Sequence, residues 1–104
     1  MTLAEIRDTL VAVDPTISHY FSMGNGKPYT YWEETQALPL MGDGGWAEEG
    51  WHFSVHRFAR EENDTVAAAL LEALKSHDEI AVDYLVDYET DTGYIHHIFD
   101  CECC

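Results

Sequence analysis

The last ten residues of the chain hold the side chains that are best suited to chemistry. They read IHHIFDCECC, so two histidines and three cysteines lie within ten positions. Imidazole nitrogen and thiolate sulfur are the usual ligands of zinc in proteins. A metal site, a redox site and the end of a β-strand are the three interpretations to compare.

Strand geometry argues against a shared metal ion in this segment. Neighbouring side chains of a strand point to opposite faces, so His96 and His97 are not expected to bind one ion. His97 and Cys101 share a face, but four residues of strand separate them by about 13 Å. The spacing CxCC of Cys101, Cys103 and Cys104 also differs from that of structural zinc sites. We therefore expect no metal and no other cofactor.

The remaining candidates for catalysis are also weak. His52, Ser54 and His56 form an HxSxH row on one face of a predicted strand, with the two histidines about 13 Å apart. The serines lack a GxSxG context. Asp100 and Glu102 flank the cysteines, and negative neighbours raise the pKa of a thiol. We expect that the protein is not an enzyme.

Hydrophobic periodicity defines the elements that position these residues. Thr2 and Glu5 form a capping box at the start of a helix whose apolar stripe is Leu3, Ile6, Leu10 and Val13. A second helix is predicted at about 65–77, capped by Asn63 or Asp64. Strands are predicted at 17–23, 29–35, 51–59, 80–88 and 94–101. The order α-β-β-β-α-β-β predicts an α+β fold, an antiparallel-rich sheet with two helices packed on one face.

The 104 residues are enough for one domain, which we expect to span 1–104. Residues 36–50 read QALPLMGDGGWAEEG, with four glycines, one proline and no clean period. We predict a long loop there, and a loose C-terminal tail at 102–104. Long loops in small domains are usually functional or mobile.

Large apolar side chains cluster around the predicted loop. Aromatic and methionine side chains are enriched in protein–protein contacts, so we predict a partner-binding loop. The candidate interaction residues are Tyr31, Trp32, Leu38, Leu40, Met41 and Trp46.

The charge of the chain restricts its partners. Twenty Asp and Glu residues face five Lys and Arg residues, which gives a formal net charge of −15. Such a chain repels phosphate backbones, so specific nucleic-acid binding is not expected. No apolar run is long enough to span a membrane, and charges interrupt the apolar residues at the N-terminus, unlike in a signal peptide.

The chain as a whole resembles the small tail-completion proteins of long-tailed bacteriophages, the head–tail joining or tail-terminator group. The stretches that carry the resemblance are MTLAEIRDTL, YTYWEE, WHFSVHRFAREENDTVAAALLEAL and IAVDYLVDYETDTGYIHHIFDCE. They follow the family pattern of an opening helix, an aromatic strand, a loop, a strand with a charged turn, a second helix and a closing hairpin. The extreme acidity and the cysteine tail depart from that pattern.

The resemblance implies a structural virion protein of the tail or neck. Such a protein assembles with itself into a ring, often six-fold, on the tail tube protein at the head-proximal end. The ring stops tube growth and joins the tail to the head–tail connector protein, and genomic DNA passes through its lumen. Assembly takes place in the host cytoplasm.

Two other functions stay open from the sequence. One is a small metal-binding module that uses zinc at the terminal cysteines and histidines. The other is a small acidic adaptor or inhibitor of a basic host protein.

Overall fold

A computed structural model describes residues 1–42 and 45–104, and for residues 39–49 it describes no side chains. It contains two helices and one five-stranded sheet. In chain order the elements are α1 (Leu3–Val11), β1 (Ser18–His19), β2 (Tyr29–Gly42), β3 (Gly45–Ala59), α2 (Thr65–Lys75), β4 (Ile80–Tyr88) and β5 (Ile95–Cys103). The predicted α+β class and element order are confirmed.

Both helices begin at the caps that the sequence indicates. The Thr2 hydroxyl accepts a hydrogen bond from the backbone N–H of Glu5, and the Glu5 carboxylate accepts one from the N–H of Thr2. Asp64 caps α2 by accepting from the N–H of Ala67 at 2.9 Å. These bonds satisfy N–H groups that have no partner within the helix.

The sheet has the strand order β1-β2-β3-β5-β4, in which only β1 and β2 run parallel. Both helices pack on one face, called here the helix face, which holds the hydrophobic core. Ile6 and Leu10 of α1 and Leu70 and Leu74 of α2 meet strand residues there. The core residues of the sheet are Trp32, Phe53, Val55, Ile80, Phe99, Cys101 and Cys103.

The prediction of a loop at 36–50 is wrong for the described residues, because 36–42 continue strand β2 and 45–50 belong to strand β3. Gln36 pairs with His52 and Gly42 pairs with Gly45, with register shifts after Glu34 and Leu40. We call this two-stranded extension, residues 36–42 and 45–50, the arm. β5 pairs with β3 only from Trp51 onward, so the arm lies beyond the rest of the sheet. Period-two alternation arises where one face is buried, and a ribbon outside the core has no need of it.

Two other predicted bounds are wrong. The strand predicted at 17–23 is reduced to the two residues of β1, because Tyr20 has a positive φ of 71° and leaves the extended conformation. The tail at 102–104 is not loose, since β5 continues to Cys103, which pairs with Trp51 of β3 and Ile80 of β4. A strand with a neighbour on both sides has no free edge from which to fray.

Candidate interaction surfaces

The two aromatic candidates in β2 have different environments. Trp32 is 2% exposed on the helix face, with its ring stacked on His19 at 4.1 Å. It is therefore a core residue and leaves the set of candidates for partner contact. Tyr31 points to the opposite face, where it is half-buried and stacks on His56 at 4.6 Å.

Of the arm residues predicted to bind a partner, one side chain is described. Leu38 is half-buried and lines a shallow surface cavity together with Ile80, Cys103 and Cys104. The side chains of Leu40, Met41 and Trp46 lie outside the described residues. Their role in partner binding stays a prediction.

The second face of the sheet carries no helix, and we call it the open face. One end of it is aromatic. Phe58 lies between Tyr29, at a ring distance of 4.5 Å, and His96, at 4.0 Å, and both rings stack on it. Tyr94 meets Phe58 edge-on at 5.9 Å. These contacts follow from the register, since Phe58 is paired with Tyr29 on one side and with His96 on the other.

A row of hydrogen bonds crosses the middle of the open face. Nε2 of His56 lies 2.9 Å from the Ser54 hydroxyl, and Nδ1 of His56 lies 2.8 Å from Nε2 of His96. Burial lowers the pKa of His56, and burial followed by the proximity of His56 lowers the pKa of His96. Both rings therefore lose their positive charge more readily than free histidines, and the hydrogen bond between them needs an unprotonated nitrogen on one of the two rings.

The Ser54–His56–His96 row has the spacing of a nucleophile and base, but its surroundings oppose acyl transfer. Ser54 is paired with Glu33 on one side and with Asp100 on the other. Two carboxylates disfavour the negative charge that develops on an oxyanion. We interpret the row as a structural network at the surface.

The other end of the open face is acidic. Asp83 of β4 is directly opposite Asp100 of β5, and Glu102 follows two residues later. The carboxylate of Glu102 lies 2.6 Å from Nε2 of His52. The open face therefore changes from aromatic to acidic along the strands.

A buried polar cluster fastens both helices to the helix face. Arg57 donates through Nε and Nη2 to the two carboxylate oxygens of Asp64, at 2.9 and 3.2 Å, and through Nη1 to Thr30 at 3.2 Å. Asp14, just after α1, lies 3.9 Å from the same guanidinium. Although burial alone raises the pKa of Asp64, the hydrogen bonds from Arg57 and from the Ala67 N–H outweigh it and lower that pKa. This cluster serves the fold.

The cysteines do not converge on a metal site. Cys101 and Cys103 point into the core, whereas Cys104 is exposed. Burial raises the pKa of the Cys101 thiol to about 12, and Asp100 adds to the effect. Among the residues that the structure describes, no three His, Cys, Asp or Glu side chains are grouped to hold a metal ion.

Sequence reasoning missed two features of these surfaces. The His56–His96 hydrogen bond joins residues 40 positions apart, so only the strand register reveals it. The alternation in β4 predicts one buried apolar face, but Tyr84, Val86 and Tyr88 are exposed. The two aspartates of the same strand, Asp83 and Asp87, were a signal that the strand lies at an edge.

The described helices contain no segment that is long and apolar enough to cross a membrane. In comparisons with known proteins, no protein-family model and no curated protein matches this chain.

Proposed function

We propose that the chain is a structural virion protein of the tail-completion type, which assembles into a ring at the head-proximal end of a phage tail tube. The observation that carries the proposal is the arm. Residues 36–42 and 45–50 form a two-stranded ribbon that extends beyond the part of the sheet paired with β5, in a molecule that measures 52 × 22 × 22 Å.

A two-stranded ribbon without a third layer or a core is marginally stable in water. The arm therefore gains most from a surface that covers it, either on a neighbouring subunit or on the tube. An arm that fits a different part of the next copy makes a head-to-tail contact, and such contacts close into rings when the rotation allows.

The chain also offers an apolar surface for such a contact. Phe21 and Met23, next to β1 at one edge of the sheet, are 68% and 73% exposed. Exposed apolar side chains at an edge mark interaction sites more often than isolated ones do. An arm seated on this segment of the next subunit would bury both.

The acidic composition suits the ring. A lumen lined by carboxylates repels the phosphate backbone, so DNA passes without binding. The same charge, −15 per chain, opposes assembly at low salt, so ring formation is expected to strengthen as salt screens the repulsion.

The test compares the intact chain with a variant that lacks Leu40 to Gly45. Native mass spectrometry is expected to show closed rings for the intact chain, alone or with tail tubes, and monomers for the deletion variant. The matched control is the double variant Glu61→Gln and Glu62→Gln, which changes exposed residues outside the arm and keeps the rings.

A second measurement addresses the virion role itself. Peptides of this chain are expected in purified particles, and the deletion variant is expected to give tailless or unjoined particles. Normal infectious particles from the deletion variant, or particles that lack the protein, would contradict the proposal.

The two other functions that the sequence left open, a zinc module and an adaptor for a basic protein, have unequal support. A zinc module finds no grouped ligands in the described part of the chain. An adaptor for a basic protein requires a surface where carboxylates and exposed apolar side chains coincide, and the outer strand β4 has one.

A further inference from the structure

Strand β4 forms one edge of the sheet, and its outer side is unpaired in the described chain. It pairs with β5 along all nine residues, from Ile80 to Tyr88, without a register shift. No described strand lies beyond it. Every second residue of an outer strand directs its N–H and C=O away from the sheet. Proteins usually protect such edges with charged side chains, proline or a bulge. β4 has no proline, no bulge and no lysine, and its only charged side chains are Asp83 and Asp87.

The apolar side chains of β4 are exposed along most of its length. Ile80 is buried at the start of the strand, where α2 packs. Beyond it, Tyr84, Val86 and Tyr88 on the helix face are 42%, 55% and 61% exposed, and Leu85 on the open face is 53% exposed. The helices thus leave the second half of this edge uncovered. A strand placed beside β4 would cover it.

The charges of β4 are all of one sign. Asp83 and Asp87 lie on its open face, and Asp83 is directly opposite Asp100 of β5. Like charges in that position destabilise a sheet. Neither β4 nor β5 contains Lys or Arg. The neighbouring strand β3 adds His52 and His56 to this face and no Lys or Arg. A lysine or arginine beside Asp83 and Asp100 would therefore come from outside these three strands.

We propose that the free edge of β4 binds an extended segment of a different, basic protein, in which Lys or Arg residues alternate with apolar ones. Side chains of an added strand alternate between the faces. Its apolar residues pack beside Tyr84, Val86 and Tyr88, and its cations lie beside Asp83 and Asp87.

A second copy of this chain does not match that description. The chain has five Lys and Arg residues, and no stretch alternates them with apolar residues. In addition, a two-fold antiparallel pairing centred on Leu85 would set Asp83 opposite Asp87 of the other copy. The inference does not depend on ring formation, since it uses β4 and not the arm.

The test uses labelled peptides and the isolated chain. The probe is a peptide as long as β4 in which lysine and valine alternate. One comparison peptide has the same residues rearranged as a lysine block followed by a valine block, and the other has glutamate in place of lysine. Fluorescence anisotropy near physiological salt is expected to show binding of the alternating peptide at least about tenfold tighter than either.

Two double variants separate local from general electrostatics. Asp83→Asn with Asp87→Asn removes two charges from β4 and is expected to weaken binding about tenfold. Glu61→Gln with Glu62→Gln removes two charges from an exposed turn and is expected to leave the affinity unchanged. Asparagine is close in shape to aspartate, and thermal melts check that both variants fold.

The chemical shifts of the backbone amides show where the peptide binds. Amide chemical shifts are expected to change in residues 80–88 and to remain constant in β1. Equal affinity for the alternating and block peptides, equal losses in both double variants, or no binding would overturn the proposal. Self-association that Leu85→Lys abolishes would assign the edge to a second copy and would also overturn it.

Discussion

The two halves of β3 have the same backbone conformation and different neighbours. Residues 51–59 lie between β2 and β5 beneath the helices, and Phe53 and Val55 there are fully buried. Residues 45–50 have β2 on one side and no described strand on the other. The comparison teaches that position in the sheet, more than strand formation, decides which residues stabilise the fold. We call the two helices and the strands outside the arm the body, and we expect the body to fold without the arm.

The largest loss of stability is expected from a cavity in the core beside residues 51–59 of β3. Phe53→Ala removes a fully buried ring from the core and should lower the free energy of unfolding by about 3–5 kcal/mol. Urea denaturation measures this change. Phe21→Ala, at an exposed ring, is the control and should change it by less than about 0.5 kcal/mol. Similar losses in both variants would contradict the division into body and periphery.

A somewhat smaller loss of stability is expected when the buried Arg57–Asp64 ion pair is broken. Arg57→Met leaves the Asp64 carboxylate without its two-fold hydrogen bond and should cost about 3 kcal/mol. Adding Asp64→Asn to Arg57→Met should recover part of this loss, because it removes the unpaired charge. Urea denaturation of both variants measures the recovery, and an additive further loss would refute the coupling.

A smaller loss of stability is expected when the pH falls below the ordinary histidine pKa. Burial lowers the pKa of His56, His96 and His97, so the folded state binds fewer protons than the unfolded state just below the ordinary histidine pKa. The free energy of unfolding should therefore be constant above about pH 6.5 and fall as the pH drops toward the lowered folded values.

Urea denaturation at several pH values tests this slope. His56→Gln with His96→Gln should flatten it, since two of the three histidines with a lowered pKa are then absent. His52→Gln serves as the control for a histidine on the same strand and face. An unchanged slope in the double variant would show that other groups cause the loss.

The smallest effect on the monomer is expected from shortening the arm. Deletion of Leu40 to Gly45 should change the free energy of unfolding by less than about 1 kcal/mol, because the described strand residues of that stretch pair only within the arm and β5 begins to pair at Trp51. Thermal and urea denaturation of the variant measure it. A loss as large as that of Phe53→Ala would mean that the body needs the arm.

Much of the fold followed from local patterns. The caps at Thr2 and Asp64 and the stripes of both helices were readable because a helix satisfies its hydrogen bonds within one short segment. The inward side of β3 was readable because Phe53 and Val55 alternate with Ser54 and His56. The arm was not, since residues 36–50 carry no periodic pattern in the sequence.

The candidate site was less predictable for the same reason. Tyr31 and Trp32 are adjacent aromatics, and only the position of the helices decides that one packs on the open face and the other in the core. The fate of the cysteines likewise depended on β3 and β4, which pair with both sides of β5 and bury Cys101 and Cys103.

By itself, the sequence determined the acidic charge, the helix caps, the element order and the α+β class. These follow from composition and from contacts between residues close in the chain. The tertiary structure alone decided that residues 36–42 and 45–50 form an arm, that β4 is an outer strand with exposed apolar side chains, and that His56 meets His96. Those features depend on strand order and register, which are set by packing between distant segments.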